Sequence, residues 1–154
     1  MTSSGYTFIL GTWGSDAADI RQVREQVLVS EMGLSRELLE LANESQALHV
    51  LVYDSGGRVV GAARMQPDGR IDYVAVLRPW RGWTVGGALL GYLHHIAWVR
   101  QLEKIWSVVP ESARRFFEKN RFLPADEAPP ADGFPGQRYT RMVRRPGSES
   151  VALH

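Results

Sequence analysis

Apolar residues along this chain switch between two spacings, and the switches mark the elements. Tyr6-Thr-Phe-Ile-Leu10 is a short β-rich run that Gly11 and Gly14 close. Ser15 and Asp16 then offer N-cap oxygens. Ile20, Val23, Val27 and Leu28 recur at helical spacing, which predicts a helix to about Ser30. Gly33 ends it. Ser35 is placed to cap a second helix over Arg36 to Ala42, with Glu37 and Glu40 near the start, where the helix dipole favours acids.

The period then shortens. Leu48-His-Val-Leu-Val-Tyr53 reads as a strand, Asp54 to Gly57 as a turn, and Arg58 to Met65 as the returning strand of a hairpin. Pro67-Asp-Gly69 marks a second turn. Ile71 to Leu77 is a third strand, almost continuously apolar after Asp72, which predicts burial on both faces. Pro79 to Gly82 stops it. A long helix is predicted from Thr84 to about Gln101, with Val85, Leu89, Leu93 and Ile96 on its core face. Lys104 to Val109 is a further strand. Strand, helix, strand makes a βαβ unit, so its two strands are expected to run parallel. Glu111 or Ser112 opens a helix to about Asn120, and Phe122 and Leu123 start another strand. Pro124 to Gly136 reads as a loop, Tyr139 to Arg144 as the final strand, and Pro146 to His154 as a frayed tail.

The chemistry begins at Arg81-Gly-Trp-Thr-Val-Gly-Gly-Ala88, which joins the buried third strand to the long helix. Backbone N–H groups at a helix N-terminus lack intrahelical partners, and the dipole there favours anions. Glycine lets backbone approach a phosphate without a Cβ between. Arg81 adds a positive charge at the mouth. The alternative is a tight strand–helix turn with Gly86 and Gly87 packed on the sheet. No Gly-Lys-Ser/Thr follows, so this is not a Walker A loop. The order Gly-x-x-x-Gly-Gly, behind a hairpin, does not match a dinucleotide-binding fingerprint either.

Composition narrows the rest. The 154 residues suit one domain spanning 1–154. At 44% hydrophobic and 23% charged, the chain is ordinary for a globular protein. A net charge of +1 gives no global field to recruit nucleic acid or an anionic membrane. There are no cysteines, which excludes disulfides, thiolate metal sites and cysteine nucleophiles. No apolar run approaches the roughly 20 residues of a membrane span, and no secretory signal is read at Met1 to Tyr6, so the expected compartment is the cytoplasm.

Two motifs in order carry a resemblance. Val74-Ala-Val76 followed by Arg81-Gly-Trp-Thr-Val-Gly-Gly-Ala-Leu-Leu90 is similar to motif A of the GNAT N-acetyltransferase superfamily. Ala113-Arg-Arg-Phe-Phe-Glu-Lys-Asn-Arg-Phe122 resembles that family's downstream Ala-x-x-Phe-Tyr-Glu-Lys-x-Gly-Phe. A narrower likeness, to the ElaA-like subgroup, rests on Ile20 to Val27, Ala47 to Asp54 and Gly61 to Arg70. The resemblance implies an α/β (α+β) fold, a mixed central sheet of about six to seven strands flanked by about four helices. It implies acetyl-CoA as cosubstrate, no metal, direct attack by a primary amine of a small molecule or protein, and a homodimer. Val74, Ala75 and Val76 would carry the pantetheine arm. Arg81, Gly82, Trp83, Thr84, Val85, Gly86 and Gly87 would surround the pyrophosphate. Phe117 would lie beside the cofactor.

Four positions depart from the family pattern: Thr84 for the first motif glycine, Pro110 for Asn, Phe117 for the Tyr that protonates the leaving thiolate, and Arg121 for Gly. Phe117 cannot donate a proton. A catalytically quiet CoA-binding or protein-interaction module is therefore the alternative reading. An attacking amine must first lose a proton, usually to a carboxylate. Asp72, just ahead of Val74, is the first candidate, against a reading as a turn-proximal surface charge. Glu31, at the end of the first helical region, is the second, against a solvated face. Tyr139 and Tyr92 are substitute acids, or else packed aromatics. His49 within an apolar strand reads more simply as a core histidine, and His94 and His95 point different ways and make no metal pair. Trp83 could stack on the adenine or merely cover the core. Arg114, Arg115, Arg141, Arg144 and Arg145 could favour an acidic ligand, or else form a solvated face.

Overall fold

The computed structural model describes residues 2–3, 5–40, 44, 46–81, 85–128 and 138–147. Strand β1 (Thr2–Ser3) pairs antiparallel with β2 (Tyr6–Gly11), an addition that the sequence pattern does not announce. Helix α1 (Trp13–Arg24) starts earlier than its glycine and serine residues suggest, because Thr12 is the N-cap. The Thr12 side chain accepts from the Ser15 N–H at 3.2 Å, and Asp16 accepts from the Thr12 N–H at 2.9 Å. Its continuation widens into a π-helix, Glu25–Glu31. Helix α2 (Arg36–Glu40) follows; the rest of the expected second helix lies outside the described residues.

Strands β3 (Leu48–Tyr53), β4 (Val59–Met65) and β5 (Ile71–Val76) complete a five-stranded sheet in sequence order, every pair antiparallel. The period-2 alternation sorts their side chains. Leu51, Ala62 and Ala75 face α1 and the π-helix, where Ile20, Val23, Val27 and Leu28 cover them. Val50, Val52, Val60 and Val76 face α3 (Val85–Val99), whose Val85, Leu89, Leu93 and Ile96 are buried as the sequence predicts. Strand β6 (Ile105–Pro110), helix α4 (Glu111–Lys119), β7 (Leu123–Ala128) and β8 (Tyr139–Arg144) form the second half, with a three-stranded antiparallel sheet in the order β6-β8-β7.

Two expectations need correction. Pro124 to Ala128 is not loop: it continues β7, with a register irregularity between Pro124 and Asp126 that accommodates the missing proline N–H. The remainder of that predicted loop lies outside the described residues, as does the tail beyond Gly147. The expected parallel ladder between β5 and β6 also reduces to a single parallel bridge, Arg70 with Trp106. Beside it the Trp106 N–H donates to the Gly69 carbonyl at 3.0 Å and the Ser107 hydroxyl to the Ile71 carbonyl at 2.7 Å. Beyond these contacts the strands share no ladder among the described residues. The sheet forks, and the fold is α+β with two sheets joined at one end.

Candidate active site

The fork exposes one edge of β5. The Leu77 N–H donates to the Val60 carbonyl at 2.9 Å, so Leu77 faces β4. Backbone groups alternate along a strand, which turns Val76 the other way, into the fork. Its carbonyl there accepts from Arg81 Nε at 2.7 Å. Ala75 faces β4 and packs under α1, so of the Val74-Ala75-Val76 run it is Val74 and Val76 whose main chain borders the opening.

Upstream the strand carries a bulge. Arg64 pairs with Asp72 and Ala62 with Ala75, leaving one more residue on β5 than on β4. Tyr73 absorbs it with φ +50°, a left-handed conformation that a bulky side chain rarely adopts. Two guanidiniums flank its ring, Arg64 at 4.4 Å and Arg24 at 4.8 Å from the centroid. Burial raises the Tyr73 hydroxyl pKa.

At the level of Asp72 a polar row crosses the α1 face of the sheet: Gly11, His49, Arg64 and Asp72 in register across four strands. Arg64 grips Asp72 with both ends of its fork, Nε to Oδ1 at 2.7 Å and Nη2 to Oδ2 at 2.8 Å. Its Nη1 reaches Glu44 at 3.2 Å, and the other Glu44 oxygen accepts from Arg24 at 2.6 Å. Burial opposes the Arg64 charge, but Asp72 and Glu44 outweigh it and hold the guanidinium firmly protonated. His49 lies 1% exposed beside Glu44 and under Trp13. Burial lowers its pKa first, and the Arg24 charge adds to that. Such a network is stable only when every charge is matched, and here two arginines meet two carboxylates.

The sequence candidates therefore separate. Asp72 stands at the bulge, oriented by Arg64. Glu31, at the end of the π-helix, pairs with the Arg81 guanidinium at the far end of β5. Gly82, Trp83 and Thr84 lie outside the described residues. Val85 is buried in the core. Gly86 and Gly87 face α4: a Cβ on Gly86 would stand 3.1 Å from the Phe116 ring, and one on Gly87 3.1 Å from Asn120 Oδ1. They let the first turn of α3 sit close against α4. Phe117 is a core residue, edge-on to Phe116 and Phe122 with centroids 5.4 and 5.2 Å away. Tyr139 is buried on β8 opposite Pro110, one strand beyond β6, and burial raises its pKa. Tyr92 stacks on Phe8. A cavity of about 610 Å³ lined by Trp98, Leu102 and Arg145 lies at the opposite end of α3 from the fork.

Arg64, Glu44, Arg24 and Tyr73 are the residues that the sequence pattern missed. Arg64 had a signal: the Pro67-Asp-Gly69 turn sets Arg64 opposite Asp72, a charge pair inside two apolar strands. Glu44 had none, since it arrives from the segment after α2.

Comparison with known proteins supports the same reading. The chain shares its fold with a candidate N-acetyltransferase from Lactobacillus plantarum, at TM-score 0.77 and 20% identity, over 92% of this chain and 99% of that one. A spermidine N-acetyltransferase from Vibrio cholerae superposes at TM-score 0.75 and 16% identity, over 99% and 100% of the two chains. A ribosomal-protein-S5-alanine acetyltransferase from Vibrio fischeri gives 0.72 and 14%, over 94% and 95%. At such identities these likenesses speak for the fold alone. No curated protein matches significantly by sequence. The model of the acetyltransferase (GNAT) domain, however, matches residues 45–122, half the chain, a span that holds β3 to β6, α3 and α4. With both of its motifs inside that span, the chain belongs to the GNAT acetyltransferase family.

Proposed function

We propose that this chain moves an acetyl group from acetyl-CoA to a primary amine by direct attack. The observation that carries the proposal is the open β5 edge at Val76, set beside the N-terminus of α3. A long amide-bearing arm fits there: the Val74 and Val76 main chain offers sheet-like pairing along the fork. The first turn of α3, with N–H groups that no helix turn can satisfy, suits the pyrophosphate, with Arg81 at its side. When bound, acetyl-CoA supplies an activated thioester. The chain must do the rest.

Asp72 is the proposed proton acceptor for the incoming ammonium. Arg64 fixes its carboxylate by two hydrogen bonds, while the side chain keeps 21% exposure toward solvent. Glu31 is the second carboxylate of the proposal. Phe117, packed between two other rings, has no proton to give. Tyr139, kept protonated by burial, is the proposed substitute donor to the leaving thiolate. The ElaA-like likeness and a homodimer belong to the proposal as well; light scattering on the purified chain checks the second.

Phe117 also favours a second reading, a CoA-binding module without turnover. Thermal-shift titration with acetyl-CoA and CoA, followed by free-thiol release across an amine panel, separates the two. Stabilisation with thiol release supports the enzyme. Stabilisation without release supports the module. No stabilisation by either compound removes both. In the enzyme, Asp72→Asn lowers kcat by about a hundredfold or more and leaves CoA affinity near wild type. An unchanged kcat would assign Asp72 to structure.

A further inference from the structure

The Arg81 guanidinium has two anchors. Its Nε donates to the Val76 carbonyl at 2.7 Å, and its Nη2 donates to the Glu31 carboxylate. The first anchor is the main-chain acceptor that borders the fork. The second belongs to the π-helix on the α1 face. One side chain thus links the β5 edge at Val76 to the end of the π-helix.

We infer that Glu31 is a cation subsite for the amine acceptor, and that Arg81 fills it until a cofactor draws Arg81 away. The inference rests on the acetyl-CoA reading above. A pantetheine amide pairing at Val76 needs the carbonyl that Arg81 Nε now holds. A pyrophosphate beside α3 carries more charge than one carboxylate and matches the guanidinium fork. Both partners of the present pair are partly exposed, Arg81 at 37% and Glu31 at 18%, so the pair exchanges readily.

Once Arg81 moves, Glu31 keeps a half-shielded negative charge. No other cation pairs with it among the described residues. A carboxylate so placed attracts a replacement cation. The acceptor that fits is a primary alkylammonium, which the same guanidinium excludes from the cofactor-free protein. Cofactor and amine then bind in that order, coupled through one side chain.

Isothermal titration of the full chain with CoA tests the first half. Glu31→Gln is expected to tighten CoA by about two- to fivefold, the span of a partly exposed ion pair. Arg81→Gln is expected to weaken CoA. In the Arg81→Gln background, Glu31→Gln should change nothing, whereas a general repulsion between Glu31 and the pyrophosphate would persist there. The second half uses n-butylamine and spermidine as probes. Both should bind the CoA-loaded chain at least about twofold more tightly than the free chain, and Glu31→Gln should remove that preference. Unchanged CoA affinity in Glu31→Gln, or equal or absent amine binding with and without CoA, overturns the inference and leaves the acetyl-CoA reading standing. Failure of the wild-type chain to bind CoA overturns both.

Discussion

Strand β5 begins as an inner strand and ends as an edge. At its start β4 pairs on one side, while the Gly69 and Ile71 carbonyls accept from Trp106 and Ser107 on the other. The charges there are matched pair by pair in a buried row. At its end β4 still pairs, but on the opposite edge the Val76 carbonyl accepts from the Arg81 side chain. The closed end resists change, and the open end holds an exchangeable contact. One six-residue strand therefore supplies both a rigid base and a receptive edge, and the Tyr73 bulge lies between them.

The largest test of this contrast strikes the closed end. Arg64→Met leaves Glu44 and Asp72 without their shared cation in a buried setting, and is expected to cost about 3–5 kcal/mol in chemical unfolding. A loss under about 1 kcal/mol would mean that the row is wetter than it looks. Next comes the open end. Gly86→Glu places bulk against Phe116 and like charge at the first turn of α3, and should weaken CoA binding by about a hundredfold. If titration gives a wild-type Kd, the phosphate belongs elsewhere.

A subtler probe uses pH. His49 faces Arg24, Glu44, Arg64, Asp72 and Trp13, and its pKa in the fold lies below the ordinary 6.5. Below about pH 6.5 the unfolded chain binds a proton that the folded chain refuses, so stability from this group is present above that value and falls as pH drops toward the folded pKa. Unfolding curves of His49→Gln should lose this part of the acid sensitivity. An unaltered slope between pH 7 and 5 would place the sensitivity on other groups. The smallest effect concerns Arg121, whose φ of +71° follows the end of α4. The family's glycine at that position suits this left-handed residue. Arg121→Gly should raise stability by about 0.5–1 kcal/mol, readable as an increase in Tm.

Much of the frame was legible because its signals are local. Leu48–Tyr53 and Tyr139–Arg144 form strands with the ends that their apolar runs suggest, and the buried face of α3 follows its 3.6-residue period. The failures are non-local. A π-helix and a helix share one apolar stripe, so Glu25–Glu31 looks like continuing α1. The fork depends on how two strands part after a common start, and no periodicity encodes divergence. Pro124 reads as a breaker until its partner β8 is known. The site follows the same division. The loop and strand of motif A are contiguous, whereas the row at Asp72 crosses four strands, and the Arg81–Glu31 pair spans fifty positions.

The turn at Gly69 adds one consequence. Its φ is +90°, and a Cβ there would collide with the Lys104 carbonyl oxygen, at the point where the two sheets are pinned together. In a saturation mutagenesis map, position 69 should look like an active-site residue, intolerant of every side chain. It would owe that intolerance to leverage, because a wedge at the pivot changes the opening of the whole fork.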